Sequence, residues 1–297
     1  MTPRSEHNMS ATNSADESAG PVVLITGCSS GIGFALAEEF TRRGCRVVAT
    51  ARNMDGLSRL LPSPKCRFQL DVSDHEQARA VVSAVRQSFG RIDILINNAG
   101  YGLMAPLMEV SAEALQAQLL TNTVAPLILA QLVAPIMREY RRGVIANIGS
   151  VSGQVATPFA GAYCASKAAI NSLSDVLRME LAPFGIQVVS VLAGAVRSGF
   201  GDAALSQRPL ATGSWYRGQE AAIRKRASAS QIVGMEAGAF AARLAGALLV
   251  REPPPILHIG PRSGSLPFLK AAIPVRILDR LLMRQFSLDH TSSLAAK

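Results

Sequence analysis

The chain has 297 residues, of which 48% are hydrophobic and 17% are charged, and its formal net charge is +9. This length and composition suit one large α/β domain with decorations better than two domains. The sequence lacks a membrane span of about 18 uninterrupted apolar residues, a cysteine and histidine cluster with metal-ligand spacing, and an arginine-rich arm for nucleic acid.

The first 20 residues are polar, rich in Ser, Ala, Asn and Thr, and without the apolar core of a secretory signal. They predict a disordered lead-in over residues 1–20. Four cysteines occur without a C-x-x-C pair, which indicates reduced thiols and a cytoplasmic location.

Short apolar runs alternate with helical patterns from residue 21 onward. The predicted strands cover residues 21–26, 46–51, 67–70, 92–96, 143–148, 187–192 and 255–259. The predicted helices cover residues 32–43, 74–89, 111–140 and 161–184. This alternation predicts a single Rossmann-type, doubly wound α/β domain at residues 21–262, with a seven-stranded parallel sheet flanked by helices. Residues 263–297 form a C-terminal amphipathic extension in this interpretation.

A glycine-rich turn, Thr26-Gly27-Cys28-Ser29-Ser30-Gly31-Ile32-Gly33, follows the first strand and opens the first helix. Gly27 permits the tight turn, Gly31 lets backbone approach a pyrophosphate, and Gly33 allows close packing of helix on strand. The helix N-terminus adds unpaired N–H groups for phosphate. The turn therefore favours a dinucleotide site over a purely structural loop.

The end of the second strand indicates which dinucleotide is used. An acid at this place would bind the adenosine ribose hydroxyl of NAD. Here Ala51 is followed by Arg52, whose guanidinium can pair with a 2′-phosphate. The sequence therefore favours NADP(H), although Arg52 as a plain surface charge is the alternative.

Tyr163 and Lys167 stand four residues apart in a predicted helix, on one face. A nearby ammonium favours the phenolate, so we expect the pKa of Tyr163 to fall toward working pH. The pair would then serve as a proton donor and acceptor for an alcohol and its carbonyl. Alone, the pair is weak evidence, because a Tyr and a Lys four residues apart are more often part of a solvated helix face.

With these motifs the chain resembles the short-chain dehydrogenase/reductase family over nearly all of residues 20–260. The glycine turn, Asn97-Asn98-Ala99-Gly100, Ser150 and the Tyr163/Lys167 pair stand in the order and spacing of that family. The resemblance implies that Tyr163 is the general acid/base and that Lys167 lowers its pKa and holds the nicotinamide ribose. Ser150 would hydrogen-bond the substrate oxygen, and Asn122 would anchor a water in the proton relay.

The resemblance also implies cofactor contacts beyond the glycine turn. Asp71 would contact the adenine amino group beside Val72, and the Val196 N–H and Ser198 hydroxyl would serve the carboxamide and phosphate. The full expected set is Gly27, Ser29, Ser30, Ile32, Gly33, Arg52, Asp71, Val72, Asn98, Ala99, Tyr163, Lys167, Val196 and Ser198. Plainer roles remain open: a helix-interior polar residue for Asn122, a turn residue for Ser150 and a helix cap for Asp71.

The sequence departs from the family after the sixth strand, where Ala193 stands in place of the usual proline. Because the fixed φ of proline is lost, the nicotinamide pocket could be looser. Arg197 in the same run is either solvated or close to an anionic substrate group.

Within the family, the glycine turn and residues 49–53 resemble a branch that includes NADPH-dependent acyldihydroxyacetone-phosphate reductases and 17β-hydroxysteroid and retinol dehydrogenases. Members of that branch act mostly on lipophilic alcohols and ketones. We therefore expect an apolar pocket whose walls include Met104, Phe159 and Trp215. The alternative for Trp215 is that it anchors a mobile lid.

The C-terminal extension carries Arg276, Arg280 and Arg284 on one helical stripe among apolar neighbours. Such a basic amphipathic helix can lie on an anionic membrane, or pack over the substrate pocket or a second subunit. We expect packing, with peripheral membrane contact as the alternative. The resemblance further implies a homo-oligomer formed through the long helices after strands four and five.

The sequence thus predicts an NADP(H)-dependent oxidoreductase that interconverts a secondary alcohol and a ketone or aldehyde on a lipid, steroid or retinoid-like substrate. A ketoreductase of secondary metabolism, acting on a polyketide-type compound, is the alternative within enzymes. A non-catalytic NADPH-binding sensor or scaffold is the alternative of another class. Such modules typically lose the tyrosine or the lysine, and both are present here.

Overall fold

A computed structural model describes residues 20–61, 63–200, 210 and 212–289. The predicted lead-in at residues 1–19 lies outside these ranges. The strands are β1 Val22–Ile25, β2 Arg46–Ala51, β3 Arg67–Gln69, β4 Ile94–Asn97, β5 Gly143–Ile148, β6 Ile186–Ala193, β7 Val196–Arg197, β8 Met235–Glu236 and β9 Ile256–Ile259. Seven of them form one parallel sheet in the order β3-β2-β1-β4-β5-β6-β9, and β7 pairs with β8. The predicted seven-stranded, doubly wound α/β fold is confirmed.

Helices cover both faces of the sheet. They are α1 Gly31–Arg42, α2 Leu57–Leu60, α3 His75–Phe89, α4 Ala112–Leu119, α5 Ala125–Glu139, α6 Gly161–Leu181, α7 Glu220–Val233, α8 Ala237–Leu248, α9 Ser265–Ala272 and α10 Val275–Gln285. The four predicted helices are present. Helices α2, α7 and α8 were not predicted from the sequence.

Two apolar layers explain why the strands are apolar without alternation. In β1, Val23 and Ile25 join the layer under α1 and α8, whereas Val22 and Leu24 join the layer under α3 and α5. Successive strand residues point to opposite faces, and both faces are covered by helices. All four residues of β1 are consequently buried, as expected of a parallel sheet.

The strand order reverses between β1 and β4. From β1 the chain winds outward through β2 and β3, and it then returns to β4 and winds the other way. The loops after the carboxyl ends of β1 and β4 run in opposite directions and leave a crevice between them. Ligands bind in this crevice in open α/β sheets. The glycine turn after β1 and the Asn97–Gly100 turn after β4 both lie at this edge.

The helix predicted at residues 111–140 is interrupted. Ser111 caps α4 by accepting a hydrogen bond from the Ala114 N–H at 3.2 Å, as the sequence indicates. Residues Leu120–Val124 then form one π-helical turn before α5 begins. A π-turn admits one extra residue into the helix and is frequent at functional sites, and this one holds Asn122.

The continuous helical stretch at residues 112–139 is long and apolar enough to cross a membrane by length and composition alone. Buried core helices pass the same test, and 44% of the most apolar part of this stretch is buried inside the fold. The buried face comes from α5, which packs Leu129, Val133 and Met137 against the sheet.

Candidate active site

A single cleft of about 1270 Å³ runs along the carboxyl edge of the sheet and continues beneath α7 and the C-terminal helices. Every residue that the sequence predicts to hold the cofactor lines it. These residues follow β1, β2, β3, β4 and β6 or lie on α6, because parallel strands deliver the residues that follow them to one edge. The cleft exceeds the volume of a usual small-ligand pocket, about 300–1,000 Å³, and has room for a dinucleotide and a second molecule.

The glycine turn is shaped by contacts that exclude side chains. Gly27 and Gly31 have φ angles of +73° and +59°, a region that L-residues with side chains rarely adopt. A Cβ on Gly33 would lie 2.2 Å from the Gly27 carbonyl oxygen. The turn therefore brings bare backbone to the cleft at the N-terminus of α1, where N–H groups are free to bind phosphate.

Asn98 holds the glycine turn against the end of β4. Its side-chain amide donates to the carbonyl oxygens of Thr26 at 2.8 Å and Gly27 at 3.1 Å. The Thr26 hydroxyl in turn accepts from the backbone N–H groups of Asn98 and Ala99, each at 3.0 Å. Asn98 thus positions the loop, while the resemblance places it near the adenine ribose.

Arg52 and Asp71 stand at the far end of the cleft from the tyrosine. The Asp71 carboxylate accepts from the Ser73 hydroxyl at 2.6 Å and the Ser73 N–H at 2.9 Å. These bonds, followed by the charge of Arg52, lower the pKa of Asp71. The capping role proposed as its alternative belongs to Asp74, which accepts from the N–H groups of Glu76 and Gln77. Arg52 is exposed at the mouth of the cleft.

Tyr163, Lys167 and Ser150 meet where α6 crosses the end of β5, and all three are buried. The Lys167 ammonium donates to the Ile148 carbonyl at 2.7 Å and lies 6.0 Å from the centre of the Tyr163 ring. Ser150 accepts from the Ser152 N–H at 3.1 Å, and its hydroxyl is near enough to the Tyr163 side chain to influence the pKa of that phenol. The structure thus brings the three predicted residues together at one point of the cleft.

The expected fall in the pKa of Tyr163 is not observed. Burial raises the pKa of this phenol, and the neighbouring Ser150 hydroxyl and the charge of Arg226 oppose that rise. Burial also lowers the pKa of Lys167 to about 8, because a desolvated ammonium is disfavoured. The phenol is therefore protonated at neutral pH in the protein alone, ready to donate rather than to accept.

Asn122 projects from the π-turn into a hydrogen-bond network beside α6, the helix that carries Tyr163 and Lys167. Its amide donates to the Tyr101 carbonyl at 2.9 Å and the Ser166 hydroxyl at 3.0 Å, and its oxygen accepts from the Tyr101 N–H. Asn122 does not line the cleft surface. It fixes the loop after β4 to α6, and its role as the anchor of a water in the proton relay stays a prediction.

The substrate end of the cleft differs in part from the prediction. Met104 is buried and lines the cleft, and Phe200 stands with its ring centre 5.4 Å from that of Tyr163. Phe159 instead packs edge-on against Tyr216 and Phe286, below the lining. Trp215 is 72% exposed and is not part of the wall, because the turn before α7 carries its ring outward.

Arg197 pairs with Glu236 on the surface, between β7 and β8. It therefore has a partner in the fold and does not face the substrate end. Arg226 on α7 lines that end of the cleft, as do the exposed Lys225, Arg262 and Lys270, and the sequence prediction missed Arg226. The one signal for Arg226 in the sequence is that it follows the predicted wall residue Trp215 by eleven positions. Among the described residues no His, Cys, Asp and Glu group could hold a metal ion.

Comparison with known proteins agrees with this geometry. A family model described as short chain dehydrogenase matches residues 21–208. The short-chain dehydrogenase PC-15 of Penicillium crustosum is 37% identical over 77% of this chain and 85% of its own length. The NADPH-dependent 1-acyldihydroxyacetone phosphate reductase of Saccharomyces cerevisiae is 28% identical over 92% of this chain and 93% of its own. A solved short-chain dehydrogenase from Streptomyces avermitilis superposes with a TM-score of 0.75, 28% identity, and coverage of 93% and 98%.

Proposed function

Because the chain belongs to the short-chain dehydrogenase/reductase family of oxidoreductases, we propose that it uses NADP(H) to interconvert a secondary alcohol and a ketone or aldehyde on a lipophilic substrate. The observation that carries this proposal is the meeting of Tyr163, Ser150 and Lys167 at the junction of two halves of one cleft. The cofactor half is lined by the glycine turn and the ends of the strands. The substrate half is lined mainly by apolar side chains from α7, α9 and α10.

The cofactor half fits NADP(H) by its charge and its shape. The backbone cradle at Gly27 and Gly31 suits a pyrophosphate, and Arg52 at the far end suits a 2′-phosphate. In the yeast relative, NADPH dependence is part of the name. When bound, the nicotinamide would supply a hydride to the carbonyl carbon.

The protein's own groups would handle the oxygen and its proton. Tyr163 donates its phenolic proton to the carbonyl oxygen, and Ser150 donates a hydrogen bond to the same oxygen as negative charge develops there. Lys167 stabilises the resulting phenolate and, with its other N–H groups, holds hydroxyls of the cofactor ribose. The raised pKa of Tyr163 keeps the phenol in the protonated form from which a donor starts.

The test is NADPH oxidation with a panel of lipophilic ketones, run in parallel with wild type and Tyr163→Phe. The panel includes medium-chain ketones, 17-ketosteroids, acyldihydroxyacetone phosphates and polyketide-type 3-ketones, so that it separates lipid from secondary-metabolite substrates. Turnover lost in the variant with NADPH binding retained supports the proposal. Tight NADPH binding without turnover on any member favours the sensor or scaffold function instead.

Peripheral contact with a membrane is proposed for the outer face of α9 and α10. Phe268 is 76% exposed and Val275 is 72% exposed, and Arg276, Arg280 and Arg284 lie beside them on exposed positions. Such a surface binds anionic lipid by apolar insertion and by charge. Flotation of a cytoplasmic preparation with phosphatidylserine vesicles tests it, and equal recovery of wild type and Phe268→Ser in the vesicle fraction would contradict it.

A homo-oligomer is proposed through α5 and α6, as the family resemblance implies. The outer face of α6 leaves Val176 42% and Met179 62% exposed, and Val124 at the start of α5 is 37% exposed. Light scattering on the purified protein measures the mass. We expect a dimer or tetramer that Val176→Arg reduces to monomer, and a monomeric wild type would contradict this interface.

A further inference from the structure

Arg226 lies on α7 with its guanidinium in the substrate half of the cleft. Its Nε donates to the Thr157 hydroxyl at 2.9 Å, and one Nη donates to the Ser152 hydroxyl at 3.4 Å. Both partners are neutral, and no carboxylate among the described residues pairs with it. A guanidinium has five N–H donors, so three are not engaged by these two hydroxyls.

This guanidinium is close to the reacting groups. Ser152 follows Ser150 by two residues and donates its N–H to the Ser150 hydroxyl, so Arg226 is one hydroxyl away from the group that would hold the substrate oxygen. The positive charge of Arg226 is also near enough to Tyr163 to lower the pKa of the phenol against the effect of burial.

The surroundings of Arg226 suit an anion attached to an apolar body. Ser230, one turn further along α7, lines the same cleft with a buried hydroxyl that has no hydrogen-bond partner within the described part of the chain. The neighbouring walls combine apolar side chains, among them Val155, Leu278 and Leu282, with the exposed cations Lys225, Arg262 and Lys270. Asp71 is the one acidic residue among the described residues of the lining, and it stands at the adenine end.

We propose that Arg226 binds an anionic group, a carboxylate or a phosphate monoester, that the substrate carries close to its carbonyl. This inference rests on the proposed function and narrows its substrate to amphipathic oxo acids or oxo phosphates. Arg226 is then a specificity residue, with Ser152 and Thr157 holding its guanidinium flat against the loop after β5. Planar, charge-assisted bonds of this kind are how arginine recognises carboxylate and phosphate.

The experiment compares charged and uncharged substrates of matched length. One pair is 4-oxododecanoate and its methyl ester, and the other is 1-palmitoyl-dihydroxyacetone phosphate and 1-palmitoyl-dihydroxyacetone. The readout is the ratio of kcat/KM for the charged member to that for the uncharged member. Arg226→Gln is the test variant, because a glutamine amide can still donate to the Thr157 hydroxyl and keep α7 in place.

Removing one charged hydrogen-bond donor costs about 1.5–3 kcal/mol, or roughly 10- to 100-fold, so we expect the ratio to fall by that factor in Arg226→Gln. Arg226→Lys should restore part of it, and the Kd for NADPH should stay unchanged. The matched control is Arg224→Gln on the same helix, because Arg224 is 74% exposed and paired with Glu220. Its ratio should remain within about twofold of wild type.

An unchanged ratio in Arg226→Gln, or an equal loss with both members of each pair, would overturn the proposal. The pair that responds identifies carboxylate or phosphate as the group. Calorimetry of the same four compounds on the NADP⁺-bound protein gives a second measurement that needs no turnover. Tighter binding of the charged member of a pair than of the uncharged member, with the difference lost in Arg226→Gln, supports the inference. Equal binding of the two members by wild type contradicts it. Absence of turnover for every carbonyl compound would count against the proposed function, not against Arg226.

Discussion

Burial sets the protonation states of the two residues at the centre of the site. A phenol and an ammonium that are both removed from water each favour their neutral form, so the pKa of Tyr163 rises while that of Lys167 falls to about 8. The sequence places the pair on one helix face, but it does not show how deeply α6 buries that face. The desolvation that determines both shifts is a property of the assembled fold.

Lys167 should make stability depend on pH in a distinctive way. Its pKa is about 8 in the fold against 10.5 when unfolded, so the unfolded chain binds more protons between these values and stability rises with pH there. From pH 7.5 to 9.5 this group adds about 2 kcal/mol to the free energy of unfolding of wild type.

Urea denaturation of wild type and Lys167→Met at both pH values measures this effect. The free energy of unfolding of wild type minus that of Lys167→Met should increase by about 2 kcal/mol from pH 7.5 to pH 9.5. The other titrating groups contribute equally to both proteins and cancel in this difference. A difference that stays constant across this range would show that Lys167 is not desolvated in the folded protein.

Arg52 should select between the two dinucleotides. Replacement by Ala removes a charge-assisted pair with the 2′-phosphate, so we expect the Kd for NADPH to rise by about 10- to 100-fold while the Kd for NADH changes little. Arg86→Ala is the control, because Arg86 is exposed and paired with Glu139 at 2.8 Å away from the cleft. Equal weakening of both cofactors by Arg52→Ala would exclude this role.

At the scale of elements, the glycine turn is the part of the site that follows most directly from the sequence. Its spacing predicts a backbone cradle, and the structure has that cradle with Asn98 bonded across it. The π-turn at Leu120–Val124 could not be predicted, because its residues are as compatible with an ordinary α-helix as with a π-turn. What selects it is the bonding of Asn122 to Tyr101 and Ser166, and those partners lie far away along the chain.

Gly33 should tolerate no side chain. A methyl group would meet the Gly27 carbonyl at 2.2 Å and the Asn98 amide at 2.5 Å, so α1 would have to move away from the turn. We expect Gly33→Ala to abolish NADPH binding and to lower the free energy of unfolding by about 2 kcal/mol.

Gly238 in α8 is the matched control for Gly33. A methyl group there would meet no atom within 4 Å, and Gly238→Ala should stabilise the helix by about 0.5 kcal/mol. Thermal denaturation and NADPH titration of both variants measure this contrast, and NADPH binding by Gly33→Ala at wild-type affinity would refute the packing argument.

At the scale of the whole molecule, the C-terminal helices α9 and α10 cover the substrate half of the cleft. Phe286 is buried against Phe159, and Leu278, Leu281 and Leu282 line the space below. The sequence indicates the amphipathic character of this segment, and packing is the expectation that the contacts of Phe286 support. The predictions for Phe159 and Trp215 were wrong at this scale. The sequence does not show which aromatic side chains line the cleft and which pack behind its lining or point to solvent.

Phe286 should hold α10 against the domain through its contact with Phe159. Phe286→Ala leaves a cavity beside Phe159, and we expect it to lower the free energy of unfolding by about 3 kcal/mol and to raise KM for long-chain ketones. Phe268→Ala is the control, since that side chain is 76% exposed and its loss should change stability by less than about 0.5 kcal/mol. Equal effects of the two substitutions in urea denaturation would show that α10 does not depend on Phe286.

The measurement that tests the central claim most directly is transfer of deuterium to the carbinol carbon of the product from NADPH that carries deuterium at both hydrogen positions of nicotinamide C4. Wild type and Tyr163→Phe are compared with the ketone that the panel identifies. We expect labelled alcohol from wild type, and a rate at least about 100-fold lower from the variant, because general acid catalysis of this kind contributes about 10²–10⁴-fold. Labelled alcohol formed at the same rate by Tyr163→Phe would contradict the assignment of Tyr163 as the proton donor, and unlabelled alcohol from wild type would contradict hydride transfer itself.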